Sequence, residues 1–179
     1  MSNRNFQGYV NVDQVMDQSM FTLRANLAST KLKAAVKSAT GMVLPKLGRC
    51  VVVGGCSLAW MSPDELLIST SSEESKKLYA NLEASLSGQH VLLEDVSDAR
   101  AKFNLTGAHV REVLAKLVPM DTHPAQFSVG SFNRTRFAQV AGAVLMEKEN
   151  VISLICFRSV QDYVFALFSK AAAPKSEVF

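Results

Sequence analysis

The side chains whose types permit catalysis or ligation are few and widely spaced. Asp121 and His123 form the most suggestive pair, within Pro119-Met120-Asp121-Thr122-His123-Pro124. A carboxylate two residues from an imidazole suits proton transfer or part of a metal site. A metal needs further ligands, and a nucleophilic triad needs a placed Ser or Cys. No HxxxH spacing occurs, and Cys50, Cys56 and Cys156 fall in runs that read as strand. The ordinary alternative is that Asp121 bonds a turn while His123 packs against a neighbour. Arg134 and Arg136, beside Asn133, suit an anion, a solvated loop or a salt bridge to another chain. Asp121, His123, Arg134 and Arg136 are therefore candidate subunit-interface residues; no catalytic, cofactor-binding or metal-binding residue is assigned. Glu65, Glu73, Glu74, Glu147 and Glu149 sit on turns or helix starts, where capping and the helix dipole account for them, and none makes an acid–base pair.

One stretch could hold a nucleotide: Cys50-Val51-Val52-Val53-Gly54-Gly55-Cys56 looks like a strand entering a glycine turn. A dinucleotide fold needs G-x-G-x-x-G and then a helix whose N-terminus faces the pyrophosphate. The continuation Cys56-Ser57-Leu58-Ala59-Trp60 has no third glycine and no helical period before Pro63. It reads as one strand, Cys50 to Trp60, bent at a Gly-Gly bulge. No flavin or nicotinamide is expected in this chain.

These residues are carried by 179 residues that are 48% apolar and 20% charged, a globular composition. The net charge of +3 is too small to argue for nucleic acid. A basic segment of Lys31, Lys33, Lys37, Lys46 and Arg49 reads as a solvated face or a protein contact. Three cysteines without CxxC spacing fit neither a disulfide framework nor a zinc site. Buried reduced thiols suit a cytoplasmic protein. No run reaches the roughly 18 apolar residues of a membrane span, and MSNRNFQGYVNVDQ lacks the apolar core of a signal peptide.

Residues 1–20 show no sustained period and read as a flexible arm, followed by a single α+β domain over 21–171 and a tail at 172–179. Within it, the spacing predicts a strand at Phe21–Arg24 and a helix over 30–39 closed by Gly41. A hairpin with its turn at Ser62-Pro63-Asp64-Glu65 leads into a helix opened by a Ser71/Glu74 capping box. A second hairpin, Phe137 to Cys156, leads into a helix opened by Ser159 and Asp162. Met61 and Met146, Leu66 and Val151, and Leu82 and Leu167 are each 85 apart (146−61, 151−66, 167−82). The result is an internal repeat, about 50–87 and 137–171: two related ββα units of mainly antiparallel sheet with helices packed on it.

The run from Val96 to Lys116 resembles the gamma subunit of heterotetrameric sarcosine oxidase. So do Asp121-Thr122-His123-Pro124, Arg134 to Val140, Cys156 to Tyr163 and Trp60 to Leu67. That family is itself similar to the folate-binding domain of glycine-cleavage aminomethyltransferases, whose Asp-x-Ser, strand, Gly-x-x-Ala-x-x-x-Leu pattern resembles Asp95 through Leu114. The active transferases carry an acidic residue where Ala141-Gly142-Ala143-Val144-Leu145 has none. The resemblance implies a complex that oxidatively demethylates sarcosine to glycine, with peroxide and formaldehyde or methylene-tetrahydrofolate as products. It implies alpha, beta and delta partner subunits that hold FAD, FMN, NAD, tetrahydrofolate and zinc, with no cofactor in this chain. The alternative it leaves is a free-standing folate-binding or aminomethyltransferase-like protein. Neither nucleic acid nor membrane is an expected partner.

Overall fold

The computed structural model describes residues 4–178. The chain divides into two compact units: Asp17–Asp98, and a second made of the residues before Asp17 together with those from Ala99 onward. Two units thus replace the expected single domain. In chain order the elements are β1 (Asn5–Phe6), β2 (Asn11–Val15), β3 (Ser19–Arg24), α1 (Thr30–Thr40), β4 (Cys50–Val53), β5 (Cys56–Ser62), β6 (Glu65–Thr70), α2 (Ser72–Leu86) and β7 (Leu92–Asp95). There follow β8 (Arg100–Thr106), α3 (Val110–Ala115), β9 (Phe132–Phe137), β10 (Val140–Lys148), β11 (Val151–Phe157) and α4 (Gln161–Ala171).

The Asp17–Asp98 unit is an antiparallel sheet in the order β4-β5-β6-β3-β7. Strand alternation sends Phe21, Leu23, Leu58, Leu66 and Ile68 into one core with Leu32 and Val36 of α1 and Leu82 of α2. α1 forms because Leu32, Ala35 and Val36 share a face and Ser29 accepts from the Leu32 N–H. Gly41, at φ 72°, closes it by donating to the Lys37 carbonyl. Ser71 caps α2 by accepting from the Glu74 N–H. Gly54 and Gly55 are not a bulge inside one strand. They are the two turn residues between β4 and β5, at φ 58° and 82°. A two-residue hairpin turn with both central φ positive matches the right-handed twist of its strands, and glycine takes that conformation without a Cβ clash.

The second unit has the antiparallel order β1-β2-β8-β11-β10-β9. Phe103, Leu105, Val144, Ile152 and Leu154 pack with Val110 and Leu114 of α3 and Val164 and Phe168 of α4. Its order β9-β10-β11-β8-β2 matches β4-β5-β6-β3-β7 strand for strand, except that β2 comes from the other end of the chain. Residues 4–20, the described part of the expected flexible arm over 1–20, are therefore no loose arm: β2 pairs along β8, and Val10 and Val12 are buried in the core. The expectation failed because short strands carry little periodic signal until a sheet pairs with them.

The repeat is real in the ladders but its spacing is 86, not 85. The register shifts between Trp60 and Ser62 in one hairpin and between Met146 and Lys148 in the other (146−60 and 148−62). Leu66 faces Trp60 as Ile152 faces Met146, and Leu82 and Phe168 are the buried helix positions (152−66 and 168−82). A slip of one residue would turn each strand's inward set outward. Val151, the partner at spacing 85, is only half-buried. The expected Ser159/Asp162 cap is also absent: Arg158–Val160 forms a 3₁₀ turn, α4 starts without a side-chain cap, and Asp162 pairs with Arg4 instead.

Candidate functional site

Asp121 and His123 lie in the loop between α3 and β9, both exposed. The loop is pinned from beneath by Arg111, whose Nη1 donates to the carbonyls of Thr122 at 2.9 Å and Phe127 at 2.7 Å. Asp121 accepts from the His123 N–H at 2.8 Å, and His123 Nδ1 accepts from the Ala125 N–H at 3.3 Å. Asp121 thus bonds the turn it sits in, while His123, read from the sequence as packing against a neighbour, accepts a backbone hydrogen bond within that turn. His123 also lines a cavity of about 490 Å³ with Thr122, Pro124, Arg111, Ala115 and Val178.

Glu112 of α3 and Lys116, the C-cap of that helix, close the same cavity one helical turn apart. Lys116 Nζ donates to Tyr9 Oη at 2.6 Å and to the carbonyls of Ala171 and Ser176. Glu112 accepts from the Val178 N–H at 2.8 Å and from Tyr9 Oη at 3.2 Å. The Val178 N–H, then Lys116 and Tyr9, hold the Glu112 carboxyl below the usual glutamate range despite partial burial. Burial works against the Lys116 ammonium, but Tyr9 and Glu112 outweigh it and raise its pKa. His109 stands 3.5 Å from Glu112, which completes an HxxE spacing on α3. Sequence reasoning passed over this cluster. The His109/Glu112 and Glu112/Lys116 spacings both lie in the sequence, and the HxxE one was missed; Tyr9 and Val178 were not legible, since they reach α3 from distant parts of the chain.

Arg134 and Arg136 are elsewhere: both are exposed on β9, the outermost strand of its sheet, and not on a loop. Neither lines the cavity beside His123. A second polar cluster sits at the β10 irregularity. Glu147, between the two register positions Met146 and Lys148, meets Lys102 at 3.0 Å and accepts from the fully buried Ser153 at 2.6 Å. Burial would raise the Glu147 pKa, yet Lys102 and the Ser153 hydroxyl together lower it. Burial pushes the Cys156 thiol up to about 11 and the Cys56 thiol up as well, so neither is an activated nucleophile.

The cations and carboxylates around the cavity are spent on backbone carbonyls, on each other and on the C-terminal segment. That arrangement ties α3, the loop and the chain ends together. It offers no nucleophile paired with a base. Among the described residues no group of three or more His, Cys, Asp and Glu is gathered for a metal, and no helix is long and apolar enough to cross a membrane.

Sheets and helices in this order define an α+β protein of the aminomethyltransferase folate-binding-like class. Glycine cleavage system aminomethyltransferase T from Bartonella henselae has a TM-score of 0.67 over 87% of this chain and 44% of that one. At 11% identity that likeness concerns the fold alone. The family follows from the sequence: the family model described as sarcosine oxidase, gamma subunit family matches residues 24–174, and the chain belongs to that family. Sarcosine oxidase subunit gamma of Corynebacterium sp. (strain U-96) is 32% identical over 133 residues, 73% of this chain and 63% of that relative's length. The solved structure of heterotetrameric sarcosine oxidase from Corynebacterium sp. U-96 in complex with pyrrole 2-carboxylate matches with a TM-score of 0.85 and 26% identity. It covers 94% of this chain and 87% of that one.

Proposed function

We propose that this chain is the non-catalytic gamma subunit of a heterotetrameric sarcosine oxidase acting in the cytoplasm with alpha, beta and delta subunits. Such a complex oxidises the N-methyl group of sarcosine, passing two electrons to oxygen; water then releases glycine and formaldehyde, or the carbon passes to tetrahydrofolate. FAD, FMN, NAD, tetrahydrofolate and zinc belong, on this reading, to the partner chains. The observation that carries it is the match to a heterotetrameric sarcosine oxidase structure over 94% of the chain.

The residues support the non-catalytic part. Where the transferases carry an acid, β10 has Ala141, Gly142 and Ala143. A Cβ added at Gly142 would lie 2.3 Å from the Phe137 ring, so that ring already fills the space beside the strand. Arg134 and Arg136 present two exposed guanidinium groups to a partner, with Asp121 and His123 as further contact residues.

Co-expression with the other three subunits should give a stoichiometric complex with sarcosine-dependent oxygen uptake. A chain that stays alone under those conditions, or that turns over sarcosine alone, overturns the proposal. Calorimetry with tetrahydrofolate on the isolated chain separates the free-standing folate reading, which requires micromolar binding. Asp121→Asn with His123→Gln tests the loop as a contact: unchanged assembly and turnover leave both as turn residues.

A further inference from the structure

The charges of the Asp17–Asp98 unit are segregated along its chain. Lys31, Lys33, Lys37, Lys46 and Arg49 lie between Ala25 and Pro63, a stretch without a single carboxylate, and every acidic residue of the unit except Asp17 follows Pro63. Lys33, Lys37 and Lys46 are exposed and make no ion pair among the described residues. Ammonium groups on a solvated face are normally interspersed with carboxylates, because like charges held together repel. Three exposed ammonium groups without an ion pair among the described residues, at Lys33, Lys37 and Lys46, are placed to meet negative charge from outside.

The same surface is unusually apolar. Lys33, Ala34 and Lys37 of α1 form a groove of about 300 Å³ with Val43 and Leu44. Val43 is 62% exposed and Leu47, next to Lys46, is 74% exposed. Farther along, Val52 and Val53 are 58% and 53% exposed on β4, the outermost strand of its sheet among the described residues. Aliphatic side chains in water alongside an edge strand mark an interaction surface. Single-stranded nucleic acid would need aromatic side chains for base stacking among these cations, and the segment from Lys31 to Val53 has none.

We propose that the surface from Lys31 to Val53 docks an acidic protein segment bearing aliphatic side chains, supplied by a partner subunit. The aliphatic groups fill the α1 groove, and carboxylates meet Lys33, Lys37 and Lys46. This rests on the gamma-subunit reading, because a complex must exist for the segment to belong to. Charge attraction of this kind governs the approach of the partner, while groove filling governs how long it stays.

The test uses the full chain with the other three subunits, comparing wild type with Lys33→Glu/Lys37→Glu/Lys46→Glu and with the milder Lys33→Gln/Lys37→Gln/Lys46→Gln. Circular dichroism and the thermal midpoint confirm that each is folded. The affinity of the chain for the remaining complex should weaken about tenfold or more in the Glu variant and by less in the Gln variant. Wild-type affinity should fall as salt rises from roughly 0.05 to 0.3 M. Val43→Ser with Leu47→Ser should weaken binding at every salt concentration. Unchanged affinity in both Lys variants, with wild type assembling normally, overturns the docking site and leaves the gamma-subunit reading intact. Failure of the wild type to assemble overturns both. Loss of charge-dependent retention on DNA instead of loss of assembly makes the surface a nucleic-acid contact, and self-association abolished by the Glu variant makes the occupant a second copy; either outcome sinks the proposal.

Discussion

β4 and β9 hold the same place in their sheets, each the outermost strand of a two-strand hairpin, yet they show solvent opposite chemistries. Val52 faces Ser57 across one ladder, and Arg134 faces Ala143 across the other, at the corresponding position (143−57 = 86). Val52 is exposed, and so are Arg134 and Arg136. An arginine on an edge strand opposes strand addition because pairing would strip its hydration; a valine there favours it. The far edges differ too. β7 is left as an edge, whereas β2, at the same place in the other sheet, is covered by β1. The repeated frame has kept its cores and diverged at its edges. Strand addition by another chain is therefore expected at the edge left unguarded, and not at the arginine edge.

The largest effect should come from removing residues 1–16. That takes β2, with β1 beside it, from β8 and removes the buried Val10 and Val12 from the core, each worth about 1.5–3 kcal/mol of burial. A stability loss above about 3 kcal/mol is expected by urea unfolding, with protease sensitivity concentrated after Ala99. A truncated chain as stable as the full one would return residues 1–16 to the status of a loose arm. Next, Gly142→Ala drives a methyl group into the Phe137 ring and should cost about 1–3 kcal/mol. Cys56→Ala at the corresponding place (142−56 = 86) should cost less than about 1 kcal/mol. Equal losses would mean the two hairpins are packed alike after all.

Acid should act through Glu112 and Glu147, both in the second unit. Their folded pKa values lie below the ordinary glutamate range, so the stability they confer is present above about pH 4.3 and is lost as pH falls through the lower folded values. Glu147→Gln should flatten the decline of the urea midpoint between pH 5 and pH 3, and an unchanged slope would remove Glu147 from the account. The smallest effects on stability, within about 0.5 kcal/mol, are expected from Val52→Arg and Arg134→Val. Light scattering tells them apart: the Arg134→Val chain should associate at high concentration and the Val52→Arg chain should not. The reverse order would break the guarded-edge comparison.

Much of the frame was legible before any coordinates. The helices at α1 and α2, the Ser62–Glu65 turn and the alternation of Ala101, Phe103 and Leu105 follow from local periodicity and capping, which act within one turn of chain. The repeat was legible as well, but its spacing was off by one, because apolar identities at neighbouring positions cannot say which residue a register shift displaces. Of the candidate site, the Asp121 turn could be read from residue type. The partners of Arg111 and Lys116 could not, since a guanidinium or ammonium gives no sequence sign of which distant carbonyl it will reach. Arg134 and Arg136 were visible as a pair, whereas their place on an edge strand required the pairing of β9 with β10.

The order of apolar and polar residues by itself determined an α+β chain with a hairpin-and-helix repeat and membership in the gamma-subunit family, because those properties are written in short-range pattern and residue identity. Tertiary structure alone decided that β2 completes the sheet of the distant second unit and that Tyr9 and Val178 close over α3. It also decided which edge is guarded by arginine and which is left to valine. Sheet pairing is the physical reason: a strand's hydrogen-bonding groups accept any partner, and only the packing of the whole unit selects one.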